Sequence, residues 1–199
     1  MSYLTLSYSF KRKIAEFISL ITYAPLVSIP AFAAINYSLD WNGFITITFI
    51  SIFFAAFLPT LIVFRWLKGK RIDLDIPNRK ERTYPLIVVI TSYFIGVIAL
   101  YALNAPEITT ILMFCYFSNT LIVLLINLFW KISMHAMGVA VPTTVLIYVF
   151  GPIGSIFALI LPVVMWSRIY LKRHTVGQVI TGALLGFIFT ILQINYLIN

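Results

Sequence analysis

Apolar runs long enough to cross a lipid bilayer dominate this sequence. A membrane-spanning helix needs about 20 mostly apolar residues to cross roughly 30 Å of hydrocarbon, and a helix satisfies its backbone hydrogen bonds internally. Seven candidates follow one another along the 199 residues, at 14–36, 44–64, 85–103, 108–129, 133–150, 153–167 and 175–197. The sequence therefore predicts an all-α integral membrane protein, a bundle of about six to seven transmembrane helices forming a single membrane domain over residues 1–199.

The fifth and sixth runs are short and meet at Gly151-Pro152. Because glycine and proline mark turns, this junction predicts a helical hairpin that either spans the membrane fully or dips in and returns. Both versions bring the chain back to the side that it left. The first run follows Lys11-Arg12-Lys13 and contains Ala31-Phe32-Ala33, which together imitate a secretory signal and its cleavage site. We expect an uncleaved membrane helix there instead.

The composition excludes a soluble domain, since 61% of the residues are hydrophobic and only 10% are charged. The formal net charge of +8 does not indicate nucleic acid, because the basic residues lie at the ends of apolar runs, where anionic headgroups and orientation signals account for them. The single cysteine, Cys115, leaves neither a disulfide framework nor a thiolate metal site. The partner that this composition predicts is the lipid bilayer.

Seven spans place four basic segments on one side of the membrane. These segments hold all 14 Lys and Arg residues, and they are the N-terminus, the 65–84 loop, the 130–135 junction and the 168–174 loop. Asp40 and Glu107 are the formal charges of the other side. By the positive-inside rule, we expect a multi-pass protein whose N-terminus and basic face are cytoplasmic.

Three polar clusters interrupt the apolar background, and the expected topology brings all three to the cytoplasmic face. They are the 71–85 segment with Arg79, Lys80 and Arg82; the segment Lys131-Ile132-Ser133-Met134-His135; and the segment from Ser167 to Gln178 with Arg168 and His174. Charges are costly beside hydrocarbon, and arginine grips phosphate with planar, bidentate donors. The gathering of arginines and of both histidines therefore predicts a phosphate site at the membrane surface.

Each cluster also admits an ordinary role. The cations of the first can set topology and pair with nearby carboxylates, and His135 can simply hydrogen-bond a neighbouring helix. The cations of the third can anchor lipid headgroups. There the functional interpretation is favoured, because His174 lies four residues before Gln178, within reach across one helical turn.

The third cluster resembles the last signature of the type 2 phosphatidic acid phosphatase (PAP2) superfamily, which also includes vanadium haloperoxidases. That signature is Ser-Arg, five residues, His, three residues, Asp; Ser167, Arg168 and His174 match it, and Gln178 occupies the Asp position. The second cluster is similar to the family's Pro-Ser-Gly-His signature. It keeps Ser133 and His135, with isoleucine and methionine in place of the proline and glycine.

The first cluster is the loosest match, since the family has Lys, six residues and Arg-Pro there. Arg79, Lys80 and Arg82 are candidate substitutes, although two residues separate Arg82 from Pro85, where the family has Arg and Pro adjacent. The motif order agrees with the family, and the resemblance covers approximately residues 65–197.

The resemblance implies a phosphatase that cleaves a phosphate monoester or diphosphate of a lipid through a phosphohistidine intermediate, without a metal or other cofactor. It makes His174 the nucleophile, His135 the general acid and base, and Gln178 the residue that orients His174. Phosphate binding falls to Arg168, Arg79, Arg82, Lys80, Ser133 and Ser167. A neutral amide orients a histidine without stabilising its charged form, so we expect slower catalysis than a carboxylate gives.

Two other functions fit parts of the pattern. The same scaffold can bind or transport a phosphorylated lipid without cleaving it. The Asp73-Leu74-Asp75 segment suggests a UbiA-like membrane prenyltransferase, but that chemistry needs aspartate-rich motifs from two places to hold Mg²⁺-diphosphate, and the sequence has only six acidic residues. This second alternative ranks last.

Overall fold

The computed structural model describes residues 3–39, 43–68, 76 and 78–198, and nearly all of these residues are helical. The nine α-helices of the described residues are α1 (Tyr3–Ile21), α2 (Ala24–Leu39), α3 (Phe44–Ile52), α4 (Leu58–Leu67), α5 (Thr83–Ala102), α6 (Glu107–Asn127), α7 (Met134–Phe150), α8 (Ile160–Tyr170) and α9 (Val176–Ile198). A π-helical turn, Phe53–Phe57, joins α3 to α4. Two 3₁₀ segments, Arg79–Arg82 and Gly151–Leu159, precede α5 and α8.

Five helical stretches among the described residues are long and apolar enough to cross a membrane, and six if α1 and α2 together count as one bent span. The prediction of an all-α fold with several helices of membrane-spanning length is confirmed for the described residues. The count of seven spans stays a prediction, because the fifth and sixth predicted runs lie in one continuous 37-residue helical stretch, Met134–Tyr170.

This long stretch reverses direction at Gly151, whose φ of +61° suits glycine. Immediately after the reversal, Gly154 packs on the backbone of α7, where an added Cβ would lie 2.2 Å from the carbonyl oxygen of Leu146. At 1.5 Å per α-helical residue and about 2.0 Å per 3₁₀ residue, α7 is roughly 25 Å long and the returning arm roughly 35 Å. The predicted return to the starting end is therefore observed.

The first predicted run is broken instead of continuous. Helices α1 and α2 meet at Thr22 and Tyr23 with a bend of 54°. Pro25 lies in the first turn of α2 and has no N–H to donate to the carbonyl of Ile21, so it cannot continue the hydrogen bonds of α1. Helix α1 thus becomes a separate element, whose buried face, including Ala15 and Ser19, packs on α8.

The helix ends that carry the polar clusters meet at one end of the bundle. Helix α9 packs tightly on α7, because Gly182 lies against the carbonyl of Ser133 and Gly186 against the side chain of Ala140. An added Cβ would stand only 2.5 Å from the Ser133 oxygen and 2.8 Å from the Ala140 Cβ. This close approach brings the start of α9 beside the start of α7, and with it the second and third polar clusters.

Candidate functional site

His174 lies in the turn between α8 and α9 and is only 6% exposed. Its Nδ1 is 3.0 Å from Oε1 of Gln178, and the backbone N–H of Thr175 donates to the same oxygen at 3.2 Å. Because a backbone N–H can only donate, that atom of Gln178 must be the amide oxygen, which in turn accepts from His174. His174 therefore carries its proton on Nδ1, and Nε2 is the unprotonated nitrogen of its neutral ring.

Arg168 occupies the last turn of α8 and is 1% exposed. Its Nη1 donates to the hydroxyl of Ser19 on α1. Its backbone carbonyl accepts from the N–H groups of Arg173 and His174, at 3.1 and 3.3 Å, so the turn that carries His174 closes around Arg168. Arg168 thus supplies a buried guanidinium, and its backbone carbonyl holds the turn that carries His174.

Arg82 reaches the same region from the 3₁₀ segment before α5. It is 9% exposed, and its Nε donates to the carbonyl of Ile76 at 2.9 Å while Nη1 donates to the carbonyl of Ile132 at 3.4 Å. Two backbone carbonyls therefore fix the plane of the guanidinium. An ammonium group has no such plane, so a lysine at this position would be less well oriented.

His135 lies in the first turn of α7 and is half-buried. Its Nε2 is 3.1 Å from the backbone carbonyl of Ser19, and its ring centroid is 6.1 Å from that of Tyr23. A carbonyl only accepts, so Nε2 carries a proton, and Nδ1 is protonated as well only when the ring is an imidazolium.

These four side chains line one small cavity of about 80 Å³. Arg82, His135, Arg168 and His174 share it with Met134 and with apolar residues of α2, α4 and α5. A water needs about 10–15 Å³ of such space, so the cavity admits a group the size of several waters, as a phosphoryl group is. Residues that stand up to 92 positions apart in the sequence thus line one cavity.

A larger cavity of about 590 Å³ adjoins the small one, and Tyr23 and His135 line both. It lies among α1, α2, α4 and the end of α8. Its described lining combines apolar, hydroxyl and charged side chains, and consists of Arg12, Glu16, Ser19, Leu20, Tyr23, Leu26, Thr60, Phe64, His135, Tyr170, Leu171, Lys172 and Arg173. Its volume falls in the usual range of ligand sites, roughly 300–1,000 Å³.

The surroundings of His174 disfavour its charged form. Burial lowers the pKa of His174 most, the positive charges of Arg82, Arg168 and Lys131 lower it further, and the hydrogen bond to Gln178 opposes them only in part, leaving the pKa at about 3. His174 is therefore neutral at pH 7.

Arg79 and Lys80, two of the predicted phosphate ligands, lie away from the small cavity. The guanidinium of Arg79 donates to the carbonyls of Asn127 and Leu128 at the end of α6, and the amide of Asn127 donates back to the Arg79 carbonyl at 2.8 Å. A cation at a helix C-terminus is favoured by the unpaired carbonyls there. Lys80 is exposed. Of the three predicted phosphate ligands in the first cluster, Arg82 is the one that lines the small cavity.

Ser133 and Ser167 are fully buried, but their hydroxyls hold the backbone in place outside the cavity. Ser133 caps α7 by accepting from the N–H of Ala136, and its own N–H donates to the carbonyl of Gln178. The hydroxyl of Ser167 donates to the carbonyl of Ala15 at 2.7 Å and ties α8 to α1. Both serines therefore position the arginine and histidine beside them.

Sequence reasoning missed the contribution of α1. Ser19 accepts from Arg168 through its hydroxyl and from His135 through its carbonyl, so one residue joins the two clusters. No local signal in the sequence marks Ser19, because its partners His135 and Arg168 are 116 and 149 residues away along the chain. Lys131 was recognised only as a member of its cluster. In the structure it donates to the Arg173 carbonyl at 2.9 Å and so stabilises the turn that carries His174.

Within the part of the chain that the structure describes, no group of three or more His, Cys, Asp and Glu side chains stands close enough to hold a metal. The Asp73-Leu74-Asp75 segment, on which the prenyltransferase alternative depends, lies outside the described residues. Comparison of the chain with protein-family models, with curated proteins and with solved structures finds no significant match.

Proposed function

We propose that the protein is an integral membrane lipid phosphatase that cleaves a phosphate monoester or diphosphate of a lipid through a phosphohistidine intermediate. The observation that carries the proposal is the small cavity, where a neutral, oriented histidine faces a second histidine and two buried arginines. Phosphatidic acid, phosphatidylglycerol phosphate and isoprenyl phosphates are the substrate types that suit it. The adjoining large cavity has the volume to hold the rest of such a lipid beside the phosphate site.

The nucleophile is Nε2 of His174. As its lone pair forms a bond to the terminal phosphorus, the bond between that phosphorus and the leaving oxygen breaks. The leaving group, which is an alkoxide from a monoester and a lipid monophosphate from a diphosphate, takes a proton from His135. His135 does this as an imidazolium, with Nε2–H held by the Ser19 carbonyl and the transferable proton on Nδ1. In the second step, neutral His135 takes a proton from water, the resulting hydroxide attacks phosphorus, and inorganic phosphate leaves His174.

Arg82 and Arg168 stabilise the non-bridging oxygens of the phosphoryl group during both steps. Their positions are fixed in advance by hydrogen bonds to Ile76, Ile132 and Ser19, so little reorganisation is needed when charge develops. An incoming dianionic phosphate also offsets the two arginine charges that lower the pKa of His174. Its arrival therefore makes the cationic, phosphorylated form of His174 less costly.

Phosphate release from these lipids tests the proposal directly. Purified protein in detergent with a metal chelator should release inorganic phosphate, and His174→Ala should abolish the release because no other nucleophile stands in its place. Arg82→Ala should lower kcat/KM by about 10²-fold or more, as loss of one preorganised donor does elsewhere. Lys80→Ala, which removes an exposed cation two residues away, is the matched control and should change it less than twofold. Unchanged release by His174→Ala overturns the proposal.

A second function, binding or transport of a phosphorylated lipid without cleavage, is favoured by one observation. Gln178 gives His174 an oriented hydrogen bond but no negative charge to stabilise an imidazolium. If this function holds, wild-type protein releases no phosphate, Arg168→Ala abolishes binding of a short-chain phosphatidic acid, and His174→Ala preserves it. Phosphate release that depends on His174 excludes it.

We further propose that the phosphate site faces the cytoplasm, since the cations at its end of the bundle satisfy the positive-inside rule. A cysteine placed at the exposed Lys80 position tests the orientation, because the native Cys115 is buried. An impermeant thiol reagent should label Lys80→Cys in inverted vesicles and leave it unlabelled in intact cells. The opposite pattern would place the site on the other face.

A further inference from the structure

The large cavity beside the phosphate site has an amphipathic lining. Leu20, Leu26 and Phe64 supply apolar wall on α1, α2 and α4. Lys172 and Arg173, in the turn after α8, and Arg12, on α1, supply a cationic part. An acyl chain suits the first surface and an anionic headgroup the second, so the cavity as a whole suits a phospholipid.

The charged lining has a formal excess of positive charge. Arg12, Lys172 and Arg173 stand against one carboxylate, Glu16. Arg12 Nε donates to Glu16 Oε1 at 3.0 Å, but both side chains are more than half exposed, at 61% and 53%. Exposed pairs of this kind contribute little free energy, so a phosphate can compete with Glu16 for the guanidinium.

The boundary between the two cavities indicates how far apart two anions of one ligand must be. Tyr23 and His135 line both cavities and so mark the boundary between them, whereas Arg12, Lys172 and Arg173 line only the large cavity. The two phosphates of a diphosphate share a single oxygen and stand too close together to reach across that boundary to these cations. Anions on either side of the boundary need a spacer of several atoms between them.

We infer that the cationic part of the large cavity is a second anion subsite, which holds the uncleaved phosphodiester of a phospholipid whose terminal phosphate monoester occupies the small cavity. The inference rests on the proposed function and narrows its substrate class. The substrate carries two phosphates separated by a short polyol, as phosphatidylglycerol phosphate does, and its acyl chains follow Leu20, Leu26 and Phe64. The lipid with one phosphate, phosphatidic acid, leaves the subsite empty.

The test compares two variants that each lose two positive charges. Arg12→Gln/Arg173→Gln removes charge from the subsite, while Lys11→Gln/Lys13→Gln removes the same charge from exposed positions of α1 that do not line the cavity. Phosphate release is measured in mixed micelles with phosphatidylglycerol phosphate, phosphatidic acid or an isoprenyl diphosphate. The subsite variant should lose about tenfold or more in kcat/KM on phosphatidylglycerol phosphate, the size expected for lost hydrogen bonds between charged groups. For the same variant, kcat/KM on the other two substrates should change less than threefold. The control variant should keep the wild-type kcat/KM on all three substrates.

An equal loss on phosphatidic acid, no loss on any substrate, or a selective loss on the diphosphate overturns the subsite. Failure of the proposed function gives a different result, namely no phosphate release from any lipid by wild-type protein. In that case, calorimetric titration with short-chain lipids tests the existence of the subsite independently of catalysis. Selective binding of phosphatidylglycerol phosphate, weakened about tenfold in Arg12→Gln/Arg173→Gln, supports it, and equal affinity for phosphatidic acid refutes it.

Discussion

The contact between Gln178 and His174 determines what the candidate site can do. Because Oε1 of Gln178 accepts from Thr175 and from His174, the amide fixes both the orientation of the imidazole and its tautomer. A carboxylate partner of a catalytic histidine has three effects, and orientation and choice of tautomer are two of them. The third, stabilisation of the positively charged ring, is missing, and the burial of His174 among cations makes that loss larger.

Replacing Gln178 by aspartate should therefore increase phosphate release. The carboxylate raises the pKa of His174 and stabilises the cationic ring that forms when phosphorus is attacked. One pKa unit corresponds to about a tenfold change, so we expect an increase of about tenfold or more in kcat. Gln178→Asn, which has the same shape as the aspartate without its charge, is the matched control and should not accelerate the reaction. A comparable increase in both variants would assign the effect to side-chain length.

The lowered pKa of His174 makes a prediction about pH. The ordinary histidine pKa of 6.5 falls to about 3 in the folded protein, so His174 should stay neutral from pH 7 to pH 5. In the unfolded chain it takes up a proton as the pH falls through 6.5, which means that His174 reduces folding stability progressively between about pH 6.5 and pH 3. NMR of isotope-labelled histidine should show no titration of the ring signal that His174→Ala removes. A midpoint near 6.5 would contradict the lowered pKa.

The sequence could predict the parts of the site that depend on local spacing. His174 and Gln178 are one helical turn apart, and the structure joins them. Arg79 and Arg82 could not be distinguished in this way, since the choice between them depends on where the end of α6 lies. Ser19 could not be recognised at all, because its partner Arg168 is 149 residues away and the contact exists only after α1 packs on α8.

At the scale of elements, the length of an apolar run predicted where helices lie, and Pro25 within the first run implied a kink or local irregularity there. The size of the bend and the direction that it gives α1 depend on packing against α8 and could not be predicted. Gly151-Pro152 was a clearer signal, since both residues mark a turn. The fold-back depends as much on Gly154, which has no room for a side chain against α7.

A methyl group at position 154 should weaken the hairpin of α7 and α8. Its carbon would meet the backbone of Leu146, which cannot move without disturbing α7, so we expect Gly154→Ala to cost about 1–3 kcal/mol of unfolding free energy. Gly177→Ala is the control, because nothing lies within 4 Å of an added Cβ there and alanine favours the helix. Thermal unfolding in detergent, followed by tryptophan fluorescence, measures both variants. Equal stabilities would show that the hairpin does not depend on this contact.

At the scale of the whole molecule, the polar side chains of the three clusters lie together at one end of an otherwise largely apolar bundle. The ends of α1 and α8, the starts of α7 and α9 and the segment before α5 each supply one part of the small cavity or of its supports. The all-helical architecture with several apolar helices of membrane-spanning length was predictable, because apolar runs are read directly along the chain. The cavity itself required packing, in particular the close approach of α9 to α7 at Gly182.

The most direct test of the central claim is to trap the covalent intermediate. Protein mixed with a lipid labelled in its terminal phosphate is quenched in alkali within the first turnover, and the peptide containing His174 is analysed by mass spectrometry. The account predicts a phosphorylated His174 whose label is lost in acid and is absent from His174→Ala. Phosphate release without any phosphoryl-His174, or label on a different residue, would contradict it.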